Sequence, residues 1–462
     1  MNVLLLLISI FYFFCLSLFF YIENKNKKKP DFFSPGNIFI YFQVLSAIPL
    51  FFLSINNSSI ENLIFKQLSN EFKSYNYIIF AYIMTVIASI ISYSGIVFGY
   101  SLKNKNLFLI LNTIIGIRIF RIKKTSDIKN IFTIGLVFIG FGICVYIYFL
   151  TRIGGLTDLW LNLNERADRT AGLGYFHFFY TFAITMGSLI CLYVTFLKKK
   201  HFMSMLIFLL NIFVLLSLGQ RGPLLYFIIS VMILRYYGIK RLKKLFTLKR
   251  VLLIIFMVII SLVSVQFRQI NAVEKYSDNP RLLMTDAFKS FESHLLLRFS
   301  RVERDIVILK YFEEHDFWLG SSYLSLVTAP IPRNIFPEKP PIDTGRYLLG
   351  MAQGRTINPP MSVKQLPPSS WPEGNWAGYM NFGIFGFILF FFISGIIPAW
   401  SYNLMKFNSF SIGSILFYTQ FCRVINLSPS GIVEIIMNLI LFFILFFISK
   451  ICFFLLKSKQ KT

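Results

Sequence analysis

Histidine is rare in this chain. Only His177, His201, His294 and His315 occur among 462 residues, and they are scattered, which speaks against a histidine-rich metal site. No HExxH, CxxC or GxxxxGK[ST] string is present, so the common zinc-protease, dithiol and phosphate-loop motifs are missing. No DxD-like pair of carboxylates stands in a loop, and the densest acidic cluster, Glu313-Glu314-His315-Asp316, reads as the solvated end of a helix. Neither a metal nor another cofactor is expected. The five cysteines, Cys15, Cys144, Cys191, Cys422 and Cys452, all fall inside apolar runs, so no disulfide is expected even in an oxidising compartment. Acidic residues are scarce, 21 against 46 basic, for a net charge of +25. In a soluble protein that balance would point to nucleic acid. Here anionic lipid is the partner expected instead, because it attracts the same charge.

Apolar residues make up 56% of the chain and come in long runs. Roughly 20 apolar residues match the thickness of a bilayer core, so the chain is read as an all-α polytopic membrane protein. The runs predict about eleven transmembrane helices, at 2–22, 34–54, 75–100, 131–151, 175–197, 203–218, 222–238, 251–267, 376–400, 409–427 and 431–454. The start, MNVLLLLISIFYFF, has no basic leader and no small-residue cleavage site, and is expected to be an uncleaved first span. The stretch 107–120 is short and lies among basic residues, as an interfacial helix would. Three parts follow: eight spans with short loops in 1–267, a large loop at 268–375, and three spans with a basic tail in 376–462. The large loop carries aromatic residues and helical periodicity, which predicts a small folded cap, not a flexible linker.

The linkers at 24–29, 101–130, 198–200 and 235–250 and the C-terminal tail are basic, and with eleven spans all of them land on one side. The positive-inside rule makes that side the cytoplasm, with the N-terminus outside and the C-terminus inside. On this topology the cytoplasmic segments hold 21 Lys and 5 Arg, whereas the outer loops hold 7 Lys and 12 Arg. A uniform compositional bias does not produce opposite preferences on two sides. Lysine suffices where only charge matters; arginine is favoured where a planar fork must grip phosphate or carboxylate. The outer face therefore reads as built to bind an anion. Contacts with lipid headgroups, or with the carboxylates of the large loop, are the plainer explanation of the same residues.

Four constellations carry this reading. Leu295, Phe299, Val302, Ile306 and Leu309 recur at helical spacing and predict one amphipathic helix within 285–316. Its opposite face would present His294, Arg298, Arg301 and Asp305, with Arg304 beside them, as a phosphate clamp or as a solvated face balanced by Glu303 and Asp305. The run PIPRNIFPEKPP at 330–341 has five prolines in twelve residues. They preclude a regular helix and favour a stiff path, which would hold Arg333 and Lys339 in fixed places or simply strap the cap. In GQRGP, at 219–223, Arg221 faces outward where a helix N-terminus and its dipole favour an anion. Arg152, Arg166 and Arg169 alternate with Asp158, Glu165 and Asp168 in the fourth-span loop, as internal ion pairs would. Within the spans, Arg423 and Glu434 lie at similar depth and are expected to pair, because an unpaired intramembrane charge costs several kcal/mol.

The layout of about eleven spans with one late outer loop, together with RIGGL…W…R, GQRG and GSSYLSLVTAPIPRNIFPEKP, resembles the Wzy-type O-antigen polymerases, or oligosaccharide repeat-unit polymerases. That resemblance implies an enzyme of the bacterial inner membrane. It implies a metal-independent, inverting glycosyl transfer on the periplasmic face, from a glycan on polyprenyl diphosphate to the non-reducing sugar of another lipid-linked repeat unit. A chain-length regulator protein would be a further partner. Arg221, Arg298 and Arg301, with His294, are then the expected catalytic residues. Arg333, Lys339, Arg304, Arg169, Arg166 and Trp318 would contact diphosphate or glycan. Tyr323, Trp371 and Trp376 offer further sugar-stacking faces. His294, Glu303, Asp305, Glu338 and Glu373 all remain open as the general base. Two other activities share much of this pattern: an O-antigen ligase, which needs a catalytic histidine in the large loop, and a lipid-linked oligosaccharide flippase, which needs charge along a central cavity.

Overall fold

A computed structural model describes residues 2–25, 27, 30–55, 68, 72–115, 125–157, 172–217, 221–239, 282, 285–286, 300–331, 335–423 and 425–458. The described residues are helical and loop; no strand occurs among them. Among the described residues, seven helices are long and apolar enough to cross a membrane, which agrees with a polytopic membrane protein. They are α1 (Asn2–Asn24), α2 (Pro35–Ile55), α3 (Tyr75–Ser101), α5 (Thr125–Arg152), α6 (Gly174–Leu197), α12 (Ala377–Phe407) and α14 (Pro429–Ser458). Shorter helices are α4 (Lys105–Ile115), α7 (His201–Ser217), α8 (Arg221–Gly238), α9 (Val302–Glu314), α10 (Ser325–Thr328), α11 (Gly345–Ala352) and α13 (Ile412–Phe421).

Helix ends agree with the sequence-derived spans to within four residues for the long runs, except that α5 starts six residues before the expected 131 and α12 ends seven after the expected 400. Two differences have physical causes. The stretch expected as a span at 409–427 is helical only over ten residues, Ile412–Phe421, about 15 Å at 1.5 Å per residue. Beyond it the backbone is held by side chains in place of helix turns: Leu427 donates its N–H to Asn375 Oδ1 at 2.9 Å and accepts the Tyr323 hydroxyl at 2.8 Å. The second difference is in the large loop, where the helix begins at Val302 and Arg301 precedes it with φ 56°, a left-handed conformation. Arg301 thus terminates the helix and is not carried on its face. The span expected at 251–267 lies outside the described residues.

The chain divides into two compact units. The first comprises Met1–Lys103, Phe291–Asn403 and Phe421–Ile436. Its spans pack through tyrosines whose hydroxyls find partners: Tyr12 on Gln43 Oε1 at 2.6 Å, Tyr82 on Leu50 O at 2.9 Å and Tyr93 on Phe19 O at 2.9 Å. Helices α3 and α12 approach so closely that a Cβ on Gly95 would lie 2.1 Å from Phe392 O, and one on Gly395 2.1 Å from Ser92 O. Small residues permit such backbone contact where lipid offers no hydrophobic drive to association. At one end of these helices the buried Glu23 takes Lys27 Nζ at 2.7 Å, Ser34 Oγ at 2.7 Å and the Tyr100 hydroxyl at 3.0 Å, and Tyr402 bonds Asp31. Helix α9 packs on α3 and α11, burying Val302, Ile306 and Leu309 as the periodicity predicts.

The second unit comprises Asn104–Ser290, Leu404–Gln420 and Met437–Thr462. Helices α5 and α6 form its closest pair. Gly135 and Gly187 face each other there: a Cβ on Gly187 would sit 2.7 Å from Gly135 O. Phe182 meets Phe442 edge to face at 5.2 Å.

Candidate functional site

A buried polar cluster of the first unit gathers at the start of α9. Arg304 and Asp305 are both buried there, and Arg304 Nε donates to Asp305 Oδ1 at 2.7 Å. The sequence puts Asp305 on the face opposite the apolar one, as part of a phosphate clamp or of a solvated face; it is buried because α9 is packed by α3 on one side and α11 on another. Burial pushes the Asp305 carboxyl up, while Arg304 and then Arg301 pull it down. Removing one partner of such a pair costs about 3–5 kcal/mol. The second Asp305 oxygen receives Thr85 Oγ1 of α3 at 3.4 Å.

The Arg304 guanidinium reaches on to the turn before α12, donating from Nη1 to Pro372 O at 3.0 Å. That turn, Trp371-Pro372-Glu373-Gly374, is tied down at its start by Trp371 N–H on Gly345 O at 3.0 Å. It turns at Gly374 with φ 59°, and a Cβ there would meet Arg304 Nη1 at 3.4 Å and Arg301 Nη1 at 3.9 Å. Two guanidinium groups therefore flank the turn that carries Glu373.

Glu373 is 4% exposed. Its carboxylate faces the first turn of α14, where Ser430 Oγ donates to Oε1 at 3.1 Å. Ser428 caps that helix by accepting Ile432 N–H on its carbonyl at 2.9 Å, and its hydroxyl lies 2.9 Å from that of Ser430. Pro429 occupies the first helical position, where its missing N–H costs nothing. Burial first, then the nearby Asp343 carboxylate, hold the Glu373 carboxyl above the usual range; the hydroxyls of Ser428 and Thr344 offset part of this. The cluster thus joins the buried Arg304–Asp305 ion pair, the Arg301 guanidinium, the buried Glu373 carboxylate and a helix N-terminus.

Of the residues singled out from the sequence, Arg301, Arg304, Asp305 and Glu373 come together here. Arg423 and Glu434 pair as expected. Lys339 and Trp318 are placed elsewhere in the unit. Lys339 Nζ donates to Ala329 O at 3.2 Å and Ile331 O at 2.6 Å, and so caps the end of α10. Trp318 is buried against Phe312 and Tyr347, with ring centroids at 5.4 and 5.7 Å. Trp376 is buried beside Tyr379 and Phe387. The Tyr323 hydroxyl is taken by Leu427 O, and Glu338 pairs with Lys364 at the surface. Arg221 is the first residue of α8. Arg166, Arg169, His294, Arg298 and Arg333 lie outside the described residues. His315 stacks on Tyr311 at 4.0 Å and lines a cavity of about 230 Å³ with Lys310, Glu314 and Arg355. Sequence reasoning passed over Ser428, Ser430, Asp343 and Thr344, for which only the helix-start pattern Ser-Pro-Ser-Gly gave a hint. No protein-family model, curated protein or solved structure matches this chain.

Proposed function

We propose that the chain is a polymerase of the bacterial inner membrane that joins polyprenyl-diphosphate-linked oligosaccharide repeat units on the periplasmic face, without a metal. The observation that carries this reading is the placement of Arg301 and Arg304 against Gly374, in the same turn as the buried Glu373. In an inverting transfer the acceptor hydroxyl oxygen attacks the anomeric carbon, the bond from that carbon to the diphosphate oxygen breaks, and the hydroxyl proton must leave. Guanidinium groups stabilise the charge that develops on the departing diphosphate. A carboxylate raised by burial is a fitting acceptor for the proton. In this reading Arg301 contacts the diphosphate, Arg304 positions Asp305 and the 372–374 turn, and Glu373 receives the proton. The arginine bias of the loops on the same expected side supports an anionic substrate at the membrane surface.

Deleting the gene and resolving surface polysaccharide on a gel tests the activity. The expected pattern is lipid core with a single repeat unit; core with no repeat unit overturns the polymerase reading in favour of a ligase or a flippase. The ligase reading has its own observation, His315 in the wall of the cavity beside Lys310 and Arg355. Complementation with Arg301→Lys tests the site. It keeps charge and loses the planar fork, and chain extension is expected to fall about a hundredfold; unchanged chain length and amount would remove Arg301 from the mechanism.

A further inference from the structure

Residues 319–331, with Ile335 and Phe336, combine two features that do not belong together in water. Leu319 is 81% exposed, and Val327 and Ile335 are each 76% exposed, with Leu324 and Phe336 exposed beside them. At the same time several of their backbone polar groups have partners. Helix α12 is broken at Phe382 (φ −134°, ψ 17°) and Gly383 (φ 60°, ψ −146°). The break releases carbonyls that a continuous helix would use, and these receive Trp318 N–H on Met380 O at 3.1 Å and Leu319 N–H on Asn381 O at 2.9 Å. Ser322 Oγ reaches Asn381 Oδ1 at 3.0 Å, and the Tyr323 ring lies 6.2 Å from that of Phe390. At the other end of α10 the buried Lys339 ammonium covers the carbonyls of Ala329 and Ile331. Pro330, Pro332 and Pro337 bring no N–H at all.

Exposed apolar side chains over a satisfied backbone are what a bilayer demands of non-helical chain. The surface is also continuous with an exposed apolar side of a membrane-spanning helix, since Phe382, Ile384 and Phe385 of α12 are exposed and Phe382 lies beside Gly320. After the break, Ile384 to Phe407 is about 36 Å of helix, enough to cross the hydrocarbon core. The break and the strand of chain paired to it therefore lie at one membrane boundary. We infer that residues 319–331, with Ile335 and Phe336, are an interfacial anchor whose side chains Leu319, Val327 and Ile335 insert among the acyl chains of the adjoining leaflet, and that they are not part of a water-facing cap. An interfacial element of this kind sinks roughly 5–10 Å into the boundary, and it would fix the height of α9 and α11 above the bilayer.

Spin labels on the full chain in lipid nanodiscs test this. Val327→Cys and Ile335→Cys are made with Cys144 and Cys452 replaced by alanine; the other three cysteines are buried. Both positions are exposed, so the label leaves the packing intact. Glu338→Cys and Lys364→Cys report the aqueous side. The expected result is that oxygen relaxes the labels at 327 and 335 more than a water-soluble nickel chelate does, with the order reversed at 338 and 364. Chelate access at 327 and 335 equal to that at 364 overturns the anchor. Low access to both colliders at 327 and 335 also overturns it, because a second protein copy would then cover the face. Oxygen preference that appears only after polyprenyl phosphate is added overturns it too, and assigns the surface to the carrier.

Discussion

Glu373 sits in the 371–374 turn under opposing influences. Burial and Asp343 favour its neutral form, and Ser428 and Thr344 favour its charged form. The net shift is upward from 4.5, so the native state binds a proton more tightly than the unfolded chain does. Its contribution to stability is then fully present below about pH 4.5 and is lost as pH rises through the folded value. Glu373→Gln keeps an acceptor for Ser430 and removes the charge. It is expected to raise the melting temperature at pH 7.5, on the order of 2–4 °C per kcal/mol recovered, with the variant and the parent converging in acid. A fluorescence melt in detergent across pH 4–8 reads this. If polysaccharide chain extension is lost while stability rises, the carboxylate serves chemistry; if both are unchanged, it serves neither. The carboxylate was one of several open in the sequence, and nothing local set it apart. Its partner Ser430 is 57 residues away, Arg304 bonds Pro372 across 68 residues, and Thr85 meets Asp305 across 220.

Between helices, glycine marks where contact is tightest, and the consequences differ by position. A side chain on Gly95 would run into the Phe392 carbonyl, whereas Gly140 has open space around its Cβ position. Gly95→Val is expected to separate α3 from α12 at a cost of about 1–3 kcal/mol or more, seen as loss of the monodisperse peak in detergent chromatography. Gly140→Val should leave that peak unchanged. Equal behaviour of the two would mean that α3 and α12 do not cross in this way. The apolar runs predicted both helices; the crossing did not follow from them, because an isolated glycine in a run also reads as a mere weakness in helix propensity. For α9 the reverse holds. Its apolar face was legible from spacing, but its start at Val302 was not, since Arg301 in a left-handed conformation has no reliable local signal.

Across the whole chain, the orientation expected from the distribution of lysine is open to a direct test. A fluorescent protein fused after Thr462 should be bright, and Arg355→Cys should react with a membrane-impermeant maleimide in intact cells, because Arg355 is exposed in the 268–375 segment. A dark fusion together with a protected thiol would reverse the orientation and set the arginine-flanked turn on the cytoplasmic side. The existence of long membrane helices was settled by the amino-acid sequence, because a bilayer about 30 Å thick requires runs of roughly 20 apolar residues and leaves few alternatives. The pairing of Arg423 with Glu434 was also expected from the sequence, but from a place within a span that Arg423 does not hold, since it follows the end of α13 at Phe421. Which arginines meet a carboxylate, and which carboxylate is buried, only the tertiary structure decided. Both depend on a few ångströms of separation and on the local dielectric, and those are set by how α3, α9, α11, α12 and α14 come together, not by spacing along the chain.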